Sequence, residues 1–276
     1  MNEKGAVFDG NLDGFLSVVH AFYYEKLRPV DVVSEESYQP RLGVEYVYVE
    51  ADEEKAKKVQ QGIIKKISPN AWDHAYKSYL AAEDNRFMDI LRYLVLGFKK
   101  GPSADDQEAL DYVLRVHKLA RYVSGEAHLL TGFVRFAETA QGVYYADIGP
   151  VNNVLPLVAE HFLDRLRNQP WIIHDVKRKQ AAVYNGRSDY AFAKAPGGVD
   201  FTYASGEAET QRLWQSFFDT IAIEPRLNKK LQRQHLPLRY RPYMTEFKNK
   251  LPGNLKKLTE PLSGALEATP KNTLSF

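Results

Sequence analysis

The sequence predicts an α+β protein, in which a mixed sheet of about five short strands packs with a helical bundle and leads into a basic helical C-terminal segment. Three observations predict it. Runs of β-branched and aromatic residues are short and far apart. From Asn70 to Ala137, apolar residues recur at three- and four-residue steps with little strand signal between them. Residues 142–186 then place strand, helix, strand and strand signals one after another.

In chain order, Val7 and Phe8 form a short strand. Leu12, Phe15, Leu16, Val19, Phe22, Tyr23 and Leu27 follow as a one-faced helix, capped by Asn11 and carrying a structural His20. Val44 to Val49 reads as a strand. Asp52 starts a helix with Glu53 and Glu54 in its first turn and Lys65 and Lys66 in its last, complementing the helix dipole at both ends. Trp72 to Leu80 and Phe87 to Phe98 give two further helical stripes. Gly101 and Pro102 interrupt the run, Ser103 restarts a helix, and Gly125 breaks or kinks it.

Val143 to Ile148 is the next strand, with Pro150 and Asn152 or Asn153 as turn and cap for a helix from Leu155 to Leu166. Trp171 to Val176 and Ala181 to Tyr184 form two strands joined by the basic turn Lys177, Arg178, Lys179, so the unit reads as a hairpin beside a crossover helix. Leu213, Trp214, Phe217, Phe218 and Ile221 make a later apolar helical stripe, and Pro225, Pro237 and Pro242 cut the next stretch of chain into short pieces.

At 276 residues, with 44% hydrophobic and 12% aromatic content, the chain has material for a sizeable core. The expected organisation is one α+β domain over 1–258, with a helical insertion at about 70–137 and a flexible tail over 259–276. The absence of cysteine excludes disulfides, thiolate zinc sites, a catalytic thiol and any cysteine-ligated iron–sulfur cluster held by this chain. The first residues do not read as a secretory signal and no run of about 18 apolar residues appears, so a cytoplasmic protein with no membrane partner is expected. Net charge is only +2, but Arg226 to Lys257 holds ten Lys or Arg against one acid, Glu246, which fits either an anionic partner or a plain solvated surface.

Chemistry-bearing residues gather around the central stretch. His174 and Asp175 end a predicted strand, where side chains reach an open edge, but neighbours on a strand face opposite sides and cannot form a simple dyad. Glu126 and His128 lie about 200° apart around a helix and make no metal-binding face. His161 sits on the crossover helix. His128, His161, His174 and Asp175 are the catalytic candidates as acids, bases or ligands. No metal site is expected from spacing, and no glycine-rich phosphate loop, nucleophile elbow or dinucleotide fingerprint supports a cofactor. Lys177, Arg178, Lys179, Arg226, Lys229, Lys230, Arg233, Arg239 and Arg241 are candidates for phosphate contact, with Tyr240 as a stacking partner.

At EAHLLTGFVRF (Glu126 to Phe136) and NVLPLVAEHFLDRLRNQPWIIHD (Asn153 to Asp175) the chain resembles a bacterial family of DNA metabolism or DNA repair proteins of unknown mechanism. FDGNLDGFLSVVHAFYYEK near the start and LWQSFFDTIAIEPRLNKKLQRQHLPLRY near the end extend the resemblance over most of the length. Glu126, His128, Gly132, Phe133, Arg135 and Phe136 fall on the first pattern. Asn153, Pro156, His161, Phe162, Trp171, Ile173 and Asp175 fall on the second, and Arg226, Asn228 and Tyr240 fit near the C-terminus. Leu129 departs from it, standing where relatives often carry arginine. The resemblance implies DNA as substrate and a radical-SAM partner of the spore-photoproduct-lyase type, since relatives are typically encoded beside one, and a related domain occurs fused to uracil-DNA-glycosylase-like modules. The expectation is therefore a DNA-binding or accessory protein in DNA repair or modification. A nucleic-acid-processing hydrolase or lyase with a His/Asp site, or a structural adaptor between proteins, are the alternatives.

Overall fold

A computed structural model describes residues 3–199, 201–226, 228–250 and 267–269. The chain is α+β and divides into two compact units, Met1–Gly125 and Glu126–Ser275.

In the first unit, β1 (Glu3–Phe8), β2 (Asp31–Ser34) and β3 (Val44–Tyr48) form a parallel sheet in the order β2-β1-β3. Their parallel pairing demands crossovers, and α1 (Leu12–Tyr24) supplies the first. Gly5 pairs with Tyr46 across β1 and β3, and a Cβ at Gly5 would lie 2.5 Å from the Tyr46 ring, so only glycine fits. Phe8 at the end of β1 meets Phe15 and Phe87 in a buried aromatic cluster, with centroid spacings of 4.9 to 5.9 Å.

Asn11 stands at the N-cap of α1, but its side chain makes no cap bond. The Asp9 carboxylate instead accepts from the Asn11 backbone N–H and from Nδ2. Asp52 does cap α2 (Glu53–Lys66), accepting from the Lys55 N–H at 3.0 Å.

The helices α3 (Pro69–Tyr79) and α4 (Arg86–Lys100) and a 3₁₀ turn at Gly101–Ala104 complete the series before α5 (Asp111–Phe133). The expected helix start at Ser103 moves to Asp111, because the Gly-Pro pair winds a 3₁₀ turn first. The expected break at Gly125 does not occur, and α5 runs through it, since a single interior glycine weakens a helix by only about 1 kcal/mol.

The second unit carries β4 (Ala137–Glu138), β5 (Tyr144–Ile148), α6 (Leu155–Arg165), β6 (Trp171–Asp175), β7 (Gln180–Tyr184) and β8 (Ala191–Lys194). These five strands form a mixed sheet in sequence order, and β9 (Glu267–Thr269) pairs with β8 at the far edge. The pairing of β5 with β6 is parallel through α6, and that of β6 with β7 is antiparallel, so the expected crossover helix beside a hairpin is present. Trp171 is fully buried against Tyr184 and Tyr190. After the sheet come α7 (Glu207–Thr220), α8 (Lys229–His235) and 3₁₀ segments at Leu238–Tyr243 and Thr245–Lys250. The tail expected over 259–276 lies outside the described residues except for β9. Among the described residues no helix is long and apolar enough to cross a membrane.

Candidate functional site

The parallel register of β5 and β6 sets Asp147 directly beside His174. His174 Nδ1 lies 2.9 Å from Asp147 Oδ1 and 3.0 Å from the Tyr145 hydroxyl, which itself donates to Asp147 Oδ1. With Nδ1–H on the carboxylate, His174 presents Nε2 as a lone pair, and that atom is buried with no hydrogen-bond partner. The carboxylate orients the ring as in a base-and-orienter pair. Nε2 is shielded from solvent in this state, so the pair acts on a substrate atom only if the groups packed over it move.

Tyrosines surround this carboxylate. Burial pushes Tyr145 upward, and the Asp147 charge adds to it. Burial likewise raises Tyr243 to about 12, with Asp147 and Asp175 contributing. These effects keep both phenols protonated, Tyr145 as the donor to Asp147. Gly149, just past β5, touches the Tyr243 ring so closely that an added Cβ would sit 2.3 Å from its hydroxyl. Gly149→Ala should therefore destabilise the second unit by about 1–3 kcal/mol, read by urea unfolding, and a neutral result would mean that Tyr243 swings aside freely.

Asp175 faces the other way and is wholly buried. Its Oδ1 accepts from the Lys177 and Arg178 N–H groups and its Oδ2 from Arg178 Nη1 at 3.0 Å, so it closes the turn after β6. Arg178 also donates to the carbonyls of Pro150 and Val151. It is engaged inside the protein, which leaves Lys177 and Lys179 as the exposed cations of the basic turn. Lys179 adopts a left-handed φ of 53°, a conformation uncommon outside glycine that completes the hairpin.

Other motif residues also prove to be ties within the fold. Glu126 is buried on α5 and accepts from the Val151 and Asn152 N–H groups, from Asn152 Nδ2 and from the Tyr240 hydroxyl. Tyr240 is therefore buried, its ring 5.7 Å from Phe133, and in this arrangement offers no face to a base. Arg135 makes a bidentate pair with buried Glu246, which also accepts from the Trp214 indole N–H at 3.0 Å. His128 is exposed on α5, and His161 is exposed on α6 with its ring edge-on to Phe162. Among the described residues, no hydrogen bond joins any two of His128, His161, His174 and Asp175.

The basic segment divides more evenly. Arg226, Lys229, Lys230, Arg233 and Arg239 are exposed, and Asn228 caps the short α8 that carries three of them by accepting from the Leu231 N–H. Arg241 is half-buried, donating to Gln232 and lying over the Phe247 ring. Exposed apolar side chains stand among them, namely Leu213 and Phe217 on α7 and Ile221 at its C-cap, then Ile223, Leu231 and Leu238.

Sequence reasoning missed Asp147 as the partner of His174. The signal was present, since both occupy the fourth position of five-residue strands joined by a crossover helix, which a parallel register pairs. Among the described residues, the group able to hold a metal ion is His74, Asp105 and His117 in the first unit, which includes none of the four catalytic candidates. A family model for a domain of unknown function (DUF4130) matches residues 84–246, more than half of the chain. No curated protein matches it.

Proposed function

The chain belongs to the DUF4130 family of domains of unknown function, and from that premise we propose that it acts as a DNA-binding or accessory protein in DNA repair or modification, working with a radical-SAM partner. The observation that carries the DNA reading is the row of solvent-exposed cations Arg226, Lys229, Lys230, Arg233 and Arg239, set among exposed apolar side chains and few acids. Such a row neutralises phosphates and releases their counterions, and the apolar groups between them lie against sugars and unstacked bases. Lys177 and Lys179 at the hairpin turn supply a second cationic point. The partner follows from the resemblance of the Glu126 to Phe136 and Asn153 to Asp175 motifs, and it suits a cysteine-free chain that holds no iron–sulfur cluster itself.

Fluorescence anisotropy against single- and double-stranded DNA tests the proposal. Affinity should fall steeply with salt, and Lys229→Ala with Lys230→Ala and Arg233→Ala should flatten the log–log slope by about 0.7–0.9 for each phosphate contact removed. Affinity that is absent, or indifferent to salt, sinks it. The apolar face of α7 favours a second reading, an adaptor that docks a protein through Leu213, Phe217 and Ile221. Co-purification with the radical-SAM neighbour that the resemblance implies, with and without DNA, separates the two. Capture that needs DNA supports the first, and capture without DNA that Phe217→Ser abolishes supports the second.

A further inference from the structure

Three ligand-type side chains from distant parts of the first unit converge on one point. His74 comes from the middle of α3, Asp105 follows the 3₁₀ turn at Gly101–Ala104, and His117 lies in the second turn of α5. The elements bringing them together are held independently of the group itself. Buried Ser78, one turn beyond His74, donates its hydroxyl to the carbonyl of Val116, next to His117, at 2.8 Å. Ala104 is fully buried and anchors the turn before Asp105. Tyr93, buried on α4, donates its hydroxyl to Asp105 Oδ1.

Two of the three separations are those of a coordination sphere, and the third is bounded at 4.8 Å. His74 Nδ1 lies 3.3 Å and His117 Nε2 lies 3.2 Å from Asp105 Oδ1, and all three atoms fall within 4.8 Å of one another. Ligand atoms around a tetrahedral ion with bonds of about 2.0–2.1 Å stand roughly 3.3 Å apart. On its far side His117 Nδ1 meets Glu108 Oε1 at 3.0 Å, the carboxylate–histidine arrangement that fixes a ligand's tautomer and aims its other nitrogen at a metal. The His117 side chain is 11% exposed, Asp105 22% and His74 31%, so the cluster is largely buried and still reached by water, most of all at His74.

Hydrogen bonding alone satisfies this group poorly. A neutral imidazole carries one proton, so His117 can donate to Glu108 or to Asp105 but not to both. Donation to both requires an imidazolium, whose ring centroid would sit 4.4 Å from that of His74. A cation resolves the conflict, because Nδ1–H then serves Glu108 while the Nε2 lone pair faces the ion.

We propose that His74, Asp105 and His117 form a divalent transition-metal site, for zinc in the first instance, with Glu108 orienting His117 and water in the remaining position. Two imidazoles and one carboxylate suit zinc, whereas calcium and magnesium require oxygen donors throughout. The site runs against the expectation from spacing, since its ligands stand 31 and 12 residues apart along the chain. His74 also lies outside the part matched by the family model. The proposal is independent of the DNA reading, because its test contains no DNA.

The test is metal titration of the full-length, untagged protein after chelator treatment. Calorimetry with zinc chloride should show a single equivalent bound, and cobalt chloride should give visible absorption bands that zinc displaces. His74→Ala and Asp105→Asn should each weaken zinc binding at least tenfold, and Glu108→Gln by about 10–100-fold. His128→Ala and His161→Ala should leave it unchanged. Circular dichroism checks each fold. His74→Ala, on the most exposed ligand, carries the result should Asp105→Asn unfold. Absence of zinc binding, or binding that survives His74→Ala, overturns the proposal and leaves a network held by protons alone.

Discussion

Glu126→Ala should destabilise the second unit by about 3–5 kcal/mol. The carboxylate accepts four hydrogen bonds, two of them from the backbone N–H groups of Val151 and Asn152 that follow β5. Truncation removes the acceptor that those donors and the Tyr240 hydroxyl share, and the cost of an unmade bond exceeds the gain from a made one. Glu126→Gln keeps the shape but turns an amide donor towards groups that are themselves donors, so it should lie between alanine and wild type. Urea unfolding followed by tryptophan emission measures this, since Trp171 and Trp214 both lie in that unit. The midpoint temperature should fall by roughly 10 °C, at about 2–4 °C for each kcal/mol. A loss under about 1 kcal/mol would mean that the loop after β5 is held by something other than Glu126.

The second large effect concerns Glu246 and depends on pH. Burial alone would raise this carboxyl, but the hydrogen bonds from Arg135 and Trp214 outweigh it and hold it below its ordinary 4.5. A carboxyl lowered in the folded state binds its proton more readily when unfolded, so it contributes stability that is fully present above pH 4.5. That contribution disappears as pH falls through the lower, folded value. Arg135→Ala should cost about 3–5 kcal/mol at neutral pH, because it strands a buried charge. The stability gap between wild type and Glu246→Gln should narrow steadily as the pH is taken down from 4.5. Chemical denaturation of both proteins across that range reads the gap, and a gap that stays constant with pH would refute the account.

Much of the fold was legible because its long elements are periodic. The stripe through Phe15 and Val19, the dipole-matched ends of the helix after Asp52 and the strand–helix–strand–strand order of residues 142–186 all appear as read. The elements that escaped were either too short or too dependent on distant partners. The two-residue β4 and four-residue β2 and β8 are too short to establish an alternation. Gly125 read as a break or kink because glycine is a poor helix former, but one interior glycine costs the helix only about 1 kcal/mol and α5 continues through it. At the site, strand alternation correctly separated His174 from Asp175. Recognising Asp147 needed the pairing of two strands, and recognising His74 with Asp105 and His117 needed the packing of three segments, neither of which a residue spacing encodes. The motif residues Glu126, Arg135 and Tyr240 stood out for a different reason. Each is a buried polar group whose partners lie far along the chain, so the fold tolerates few replacements there.

The outer rim of the mixed sheet bears on how the protein meets its neighbours. At β4 the Glu138 N–H donates to the Glu207 carboxylate, the Glu138 carbonyl accepts from Ala204, and Thr139 forms a bridge with Tyr203. Every backbone group that a foreign strand would need along Glu138 and Thr139 is already occupied from within the same chain. Two residues of strand, sealed by a side-chain carboxylate, give a neighbouring molecule no template to extend, so this rim resists the edge-to-edge zippering that seeds fibrils and domain swaps.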